Sequence, residues 1–350
     1  SASSLNYYLQ TRAIHLLIVC LFTRIKFSSY MFLDIAIIVL GFVGLIWGAD
    51  KFVFGASAMA RNLGVSPLMI GLTIVAFGTS APEIFSSAAS ALNNKPELAI
   101  GNALGSNLFN VGVALGIAAI ISPLKPPESL IGKEIPALLL VTVITGVLLF
   151  DLYLGFFDAL ILIAITVYFG YKLFRKKSKT GVAPDIDEES LDHVSSLQAV
   201  AYLILGLALL ILSATALVEA ASSIADSFGV STAIIGLTIV ALGTSLPELA
   251  ASVTCVLKGH HDLAIGNIVG SNILNLLAVL PFPGLFSPGL IEPNLLYRDY
   301  TFVLLLTVML AYFCYTGIKK KKMIGRFSGL MFISIYCGWF TVMLVQLSAQ

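Results

Sequence analysis

Long apolar runs separated by short polar breaks repeat along most of the chain. A helix crossing the hydrocarbon core of a bilayer needs about 20 mostly apolar residues. Ten stretches answer that description, at about 31–49, 64–92, 97–121, 134–150, 155–174, 199–220, 229–257, 262–286, 299–318 and 327–348. The first thirty residues fit less well, because their apolar run, Ala13 to Phe22, is short. Residues 1–30 therefore read as an N-terminal extension or leader, and Met31 opens the first full span. The pattern predicts an all-α integral membrane protein of ten transmembrane helices.

Composition changes the picture only by excluding alternatives. Of the 350 residues, 58% are hydrophobic and 11% charged, against about 45–50% and about 25% in soluble domains. A soluble fold could not cover that much apolar surface. The net charge of +1 is spread over short loops, so no basic face suits nucleic acid. Cys20, Cys255, Cys314 and Cys337 stand apart in apolar stretches and read as small buried side chains. His260 and His261 are neighbours in a short loop and read as a solvated pair.

The placement of charge orients the spans. Alternate loops carry Lys51 and Arg61, Lys125 and Lys133, Lys172 to Lys179, Lys258, and Lys319 to Arg326, fifteen basic residues in all. The opposite loops hold only Lys95 and Arg298. Basic loops stay in the cytoplasm, so the loop over 175–198 is expected there, with both ends of the ten-span core outside. That loop also carries Asp185, Asp187, Glu188 and Glu189. It reads as a solvated linker, too short to fold as a regulatory domain.

Two segments 165 residues apart are near copies. Gly71–Glu83 (GLTIVAFGTSAPE) and Gly236–Glu248 (GLTIVALGTSLPE) agree at 11 of 13 positions. Ala99–Asn110 (AIGNALGSNLFN) and Ala264–Asn275 (AIGNIVGSNILN) agree at 8 of 12 in the same register. The shared Gly, Asn, Ser, Pro and Glu mark a duplication, with five-helix halves at 31–174 and 199–350. An odd number of spans per half makes the repeats inverted, and in such proteins the site lies near the midplane between them.

Glu83 and Glu248 fall midway along their spans, where a charge costs at least about 2.5–3.5 kcal/mol unless it faces a protein interior with a partner. A protonated glutamate making one helix–helix hydrogen bond could explain a single case, but it explains two at matching positions far less well. Pro82 and Pro247 precede them and remove the ordinary helical partners of the Gly78 and Gly243 carbonyls. Freed carbonyls at membrane depth must line a cavity or meet an ion. Carbonyls, hydroxyls and a carboxylate, supplied twice, make an all-oxygen cage suited to Ca2+, which takes about 6–8 oxygens. Na+ also accepts oxygen ligands. The second element adds Asn102, Ser106, Asn107 and Asn110, with Asn267, Ser271, Asn272 and Asn275. Positions 102, 106 and 110 share one helix face. Small-residue helix packing suits Gly101, Gly105, Gly266 and Gly270 but leaves the Asn face unexplained.

Two copies of GTSxPE, each followed by GNxxGSN, resemble the alpha-repeats of the cation/Ca2+ antiporter superfamily, specifically its Na+/Ca2+ exchanger-like branch of the prokaryotic type, without a large regulatory loop. The likeness runs from Met31 to the C-terminus. It implies that Glu83 and Glu248 bind Ca2+ directly with the backbone oxygens of Thr79 and Thr244. It further implies that Ser80, Ser106, Ser245 and Ser271, with the Ala76 and Ala241 carbonyls, complete Na+ positions. Spans one and six would slide across a four-helix core, and Gly41, Gly44 and Gly48 suit such close packing. Proton-coupled members carry GNxxE, whereas this chain reads GNALG and GNIVG. Many Na+/Ca2+ exchangers keep an Asp in one repeat at the position of Asn110 or Asn275, and here both are Asn.

The expectation is thus a secondary active antiporter, not an enzyme, exchanging Ca2+ for Na+ by alternating access at a two-glutamate midplane site in a cell membrane. Ca2+/H+ and K+-dependent Na+/Ca2+ exchange are the alternatives. Ca2+ and Na+ are transported ions, no cofactor is implied, membrane lipid surrounds the chain, and a monomer suffices to build the site.

Overall fold

A computed structural model describes residues 2–175, 194–229, 239 and 241–348, with side chains described over 31–172, 194–229, 239 and 242–346. Most of the expected linker, 176–193, lies outside that set, as do most of residues 230–240 in the expected seventh span and the side chain of Cys20. The helices are α1 (Ala2–Leu63), α2 (Pro67–Thr79), α3 (Ala81–Leu92), α4 (Pro96–Ile121), α5 (Glu134–Leu148) and α6 (Phe156–Arg175) in the first part. The second part holds α7 (Ser196–Ser227), α8 (Ala241–Thr244), α9 (Leu246–Leu257), α10 (His261–Phe286), α11 (Leu295–Lys319) and α12 (Arg326–Ser348).

Among the described residues, six helices are long and apolar enough to cross a membrane: the Met31–Leu63 part of α1, then α4, α7, α10, α11 and α12. The pair α2 and α3, bent by 44° at its break, makes a seventh. Burial sorts them. The Ala, Ser and Asn side chains of α4 and α10 are almost all buried. Phe32, Leu40, Ile46 and Trp47 of α1 are exposed, as the lipid-facing side of a membrane helix must be.

Helix ends follow residue chemistry, and they repeat. Gly64 ends α1 with φ +64°, and Val65 N–H reaches Ala60 O at 3.0 Å, the six-residue closure that a left-handed cap makes. Gly229, 165 residues later, takes φ +79° after α7. Asn94 (φ +57°) after α3 and Gly259 (φ +77°) after α9 form a second matched pair. There Lys95 N–H bonds Ser90 O at 2.9 Å and His260 N–H bonds Cys255 O at 2.8 Å. The duplication therefore extends beyond the shared motifs to helix stops whose residues need not be identical.

The loops gather at two ends. At one, Leu124 and Ile324 form a β-bridge and Asn62 Nδ2 donates to Val194 O at 3.1 Å. At the other, β1 (Tyr153–Leu154) pairs antiparallel with β2 (Gly289–Leu290), and Ser223 Oγ donates to Asp34 Oδ2 at 2.7 Å. Each tie joins segments that the charge pattern assigns to one side.

One expectation is revised. The first span does not stop near residue 49, because α1 runs on to Leu63. Asp50 and Lys51 read as a boundary, but Asp50 is paired with Lys258 and Lys51, and alanines at 56, 58 and 60 carry the helix onward. The glycines of α1 face α7. A Cβ on Gly48 would lie 3.0 Å from Leu210 N, and one on Gly55 would lie 2.5 Å from Leu203 N and 2.8 Å from Ala199 O. From the other side, a Cβ on Gly206 would lie 2.8 Å from Gly48 O. The two longest helices therefore touch backbone to backbone.

Gly55→Ala should destabilise the purified protein by about 1–3 kcal/mol, the range for overpacking a tight contact, because only backbone stands in the way of the added methyl. Gly338→Ala, whose Cβ would meet nothing within 4 Å, should leave stability unchanged or slightly higher. Thermal unfolding in detergent checks both, and equal melting points for the two variants would contradict the packing described.

Candidate functional site

The Gly-Thr-Ser-x-Pro-Glu segments determine the local backbone. Thr79 ends α2, Ser80 sits at φ −81°, ψ 3°, and α3 starts at Ala81 with Pro82 in its first turn. There a missing N–H costs nothing, since no intrahelical acceptor is available. Ser245 repeats this at φ −94°, ψ 7°, with Pro247 in the first turn of α9. Each glutamate thus occupies the first turn of a helix, where the free N–H groups and the helix dipole favour negative charge. The proline break makes a new helix N-terminus in the interior of the protein.

Helix crossing brings the two turns together. Where α2 meets α10, a Cβ on Gly71 would lie 2.6 Å from Leu263 O, one on Gly266 2.6 Å from Leu68 O, and one on Gly270 2.7 Å from Leu72 O. Gly266 and Gly270 therefore pack as small residues, as expected of them. At that approach Ser80 Oγ donates to Glu248 Oε1 at 3.0 Å, and Ser245 Oγ donates to Glu83 Oε1 at 2.8 Å. Ser106 Oγ of α4 donates to the same Glu83 oxygen at 3.3 Å. Both glutamates, Ser80, Ser245 and Ser271 have no exposed surface.

Asparagines finish the polar centre. Asn102 Nδ2 donates to Glu83 O and to Ser87 Oγ, both at 3.0 Å, and its Oδ1 accepts from Thr244 Oγ1 at 3.4 Å. Asn267 Nδ2 donates to Ser252 Oγ at 3.1 Å, and its Oδ1 accepts from Thr79 Oγ1 at 3.1 Å. Asn275 Nδ2 donates to Asn107 Oδ1 at 3.1 Å, and Asn107 Nδ2 to Asn272 O at 3.3 Å. Among the described residues, Glu83 Oε2, Glu248 Oε2, Ser271 Oγ, Asn272 Oδ1, Asn275 Oδ1 and both amide atoms of Asn110 are buried and find no hydrogen-bond partner. Buried carboxylate and amide oxygens without donors are costly in an apolar interior, and a cation is the partner that such a set of acceptors fits.

Of the residues predicted from sequence, Glu83, Glu248, Ser80, Ser245, Ser106, Thr79 and Thr244 are joined in this network. Asn110, Asn275 and Ser271 are buried beside it and present acceptors without donors. The Ala76 carbonyl accepts Ser80 N–H at 3.0 Å and faces Thr79 Oγ1 at 3.4 Å, so it is already engaged by the chain. In the second copy Ser245 N–H turns to Leu242 O at 3.2 Å, one residue short of the helical acceptor, Ala241. Sequence reasoning missed Ser87 and Ser252. Each lies one helical turn after its glutamate and at the same 165-residue offset, a signal that was present but falls outside the conspicuous motif. It also missed wide π-helical turns that begin at Asn110 and Asn275 (Asn110–Leu115 and Asn275–Val279). Such turns concentrate at functional sites.

A buried acceptor cluster between crossing helices, in an apolar bundle of membrane-crossing length, suits a membrane cation transporter. The family model described as "Sodium/calcium exchanger protein" matches residues 33–176 and 198–345. The chain is 40% identical over 318 residues to "Putative antiporter CaxA" of Alkalimonas amylolytica, covering 86% of this chain and 96% of that protein. It is 36% identical to "Inner membrane protein YrbG" of Escherichia coli K12, covering 89% and 97%. With "Sodium/calcium exchanger MaX1" of Methanosarcina acetivorans the identity is 29%, over 88% and 97%. A solved structure of the sodium-calcium exchanger NCX_Mj, soaked with 2.5 mM Na+ and 0.1 mM Ca2+, matches with a TM-score of 0.76 at 31% identity, covering 88% of this chain and 98% of that one. The chain belongs to the sodium/calcium exchanger family, and it is a membrane antiporter of the cation/Ca2+ exchange class.

Ser245→Ala should weaken the centre by about 1–3 kcal/mol, the cost of stripping a donor from a buried charged group. The loss should be visible as a lower melting temperature in cation-free buffer that saturating Ca2+ partly restores. A variant as stable as the parent without cations would contradict a role for this hydroxyl in holding the Glu83 carboxylate.

Proposed function

We propose that the chain exchanges Ca2+ for Na+ by alternating access at a midplane site held by Glu83 and Glu248. One observation carries this reading. Each glutamate receives a serine hydroxyl from the opposite copy through Oε1, while its Oε2 is buried without a donor among the described residues. Two such carboxylates balance one Ca2+, which accepts irregular oxygen shells, or two Na+. The Thr79 and Thr244 backbone oxygens join the glutamates around Ca2+. Ser80, Ser106, Ser245 and Ser271, with the Ala76 and Ala241 carbonyls, serve Na+, and Asn110 and Asn275 line the centre as neutral oxygens.

The reciprocity of the contacts supports an inverted duplication. Ser80 to Glu248 is answered by Ser245 to Glu83, and Thr79 to Asn267 by Thr244 to Asn102, each pair displaced by 165 residues. A residue i touching j while j's counterpart touches i's is the mark of a two-fold relation. With α5 and α6 in one half and α11 and α12 in the other, the helices accommodate ten spans in two five-helix repeats, 31–174 and 199–350. The 175–198 linker then lies in the cytoplasm and the ends of the core outside.

The test is radiolabelled Ca2+ uptake into proteoliposomes loaded with Na+, K+ or buffer at low pH. Uptake should follow the outward Na+ gradient. Uptake driven by the proton gradient and indifferent to Na+ would replace Na+ coupling by H+ coupling, and a requirement for K+ would mark K+-dependent exchange. Glu83→Gln and Glu248→Gln should each cut the initial rate by more than about 100-fold, since removing one charge from a buried set costs about 3–5 kcal/mol. Parental rates in either variant would sink the two-glutamate site.

The Asn pair yields a separate expectation. Asn275→Asp adds a third buried carboxylate, so transport should fall at low pH, where that group binds a proton, and recover as pH rises. An unchanged pH profile would show that position 275 does not face the ions.

A further inference from the structure

We infer that Asn102 and Asn267 are positioning residues that set the distance between the two copies' ligands, and thereby the size of ion the centre prefers. The inference rests on the two-glutamate reading above but assigns a role to residues which that reading does not use.

Hydrogen-bond polarity is forced at Asn102. Its Nδ2 faces the Glu83 carbonyl, which can only accept, at 3.0 Å. The amide therefore cannot be turned over. The second N–H goes to Ser87 Oγ at 3.0 Å, and Ser87 in turn donates to Ala99 O at 3.1 Å. Both donors are thus spent on the chain segment that carries Glu83. What remains is Oδ1, which accepts from Thr244 Oγ1 of the opposite copy. Asn267 occupies the matching place, its amide hydrogen-bonded at 3.1 Å both to Ser252 Oγ of its own copy and to Thr79 Oγ1 of the other, a hydroxyl that also lies 3.1 Å from Val75 O. Both asparagines are buried.

The consequence is geometric. Thr79 immediately precedes Ser80, and Thr244 precedes Ser245, so the threonine hydroxyls belong to the turns whose serines grip the opposite glutamates. Each amide therefore bridges one glutamate helix and the other copy's turn, and the two bridges run in opposite directions. Neither asparagine contacts a carboxylate oxygen. Their effect on an ion passes entirely through the spacing of the groups that do. A shorter side chain at either position removes the bridge and lets the two turns separate, which favours a larger cation.

Purified protein in detergent provides the test, with Ca2+ and Ba2+ binding measured separately by calorimetry and thermal unfolding recorded in parallel. Asn102→Ala and Asn267→Ala should each weaken Ca2+ binding more than Ba2+ binding. The expected shift in their ratio is about tenfold, equivalent to about 1.4 kcal/mol. A residue that merely supports the fold would lower the folded fraction without moving that ratio, so a folded variant with the parental ratio overturns the inference. Where an alanine variant does not fold, Ser87→Ala and Ser252→Ala remove one bond from each bridge and should shift the ratio in the same direction. No shift in those variants also overturns it. Glu83→Gln separates the two levels. If it binds Ca2+ like the parent, the two-glutamate reading fails; if it loses binding while the asparagine variants keep the parental ratio, only the present inference fails.

Discussion

A carboxylate held where no water reaches must be met by groups that the protein itself supplies, and much of this architecture follows from that need. Glu83 and Glu248 are fully buried among apolar helices. Neither finds its donors within its own helix alone. Each takes a hydroxyl from the turn preceding the other, so the two halves of the chain complete each other's polar centre. The arrangement requires helices that break in the interior, where proline ends one hydrogen-bond ladder and starts another. It also requires helix axes that approach closely, which glycine at 71, 266 and 270 permits.

The same economy governs the surroundings. Helices α4 and α10 are covered on nearly all sides and carry the asparagines and serines, while α1, α7, α11 and α12 present large apolar side chains outward. Backbone contact between α1 and α7 through Gly48, Gly55 and Gly206 replaces side-chain interdigitation. In lipid, where no hydrophobic force drives one helix against another, contact of that kind is what holds helices together. Polar side chains are kept at the centre and at the two ends. The ties at the ends, such as Leu124 with Ile324 and β1 with β2, join loops that the distribution of basic residues had already placed together.

Much of the fold was legible in the sequence because membrane helices announce themselves by length and apolarity. The centre was legible because Gly, Thr, Ser, Pro and Glu recur together at a fixed offset. Details governed by pairing were not. Asp50 and Lys51 looked like the end of the first span, since a charge reads as a boundary until its partner is known. Ser87 and Ser252 looked like ordinary helix residues, since a serine becomes informative only when an asparagine is found opposite it. The π-helical turns at Asn110 and Asn275 leave no composition signal, because they depend on how the helix is packed rather than on what it contains.

The sequence by itself determined that the chain is an all-helical membrane protein, that it is duplicated, and which residue types stand in the polar centre. Those conclusions rest on local chemistry: apolar length, proline's missing donor and the cost of a charge in hydrocarbon. Only the tertiary structure decided which hydroxyl serves which carboxylate, and that the answer crosses between copies. It also decided which face of α1 its glycines serve and which buried oxygens are left without a donor. These are properties of approach and direction between segments some 165 residues apart, and no single segment holds the information to specify them. The two glutamates are visible in either form, but the reciprocal grip that joins them exists only in the folded chain.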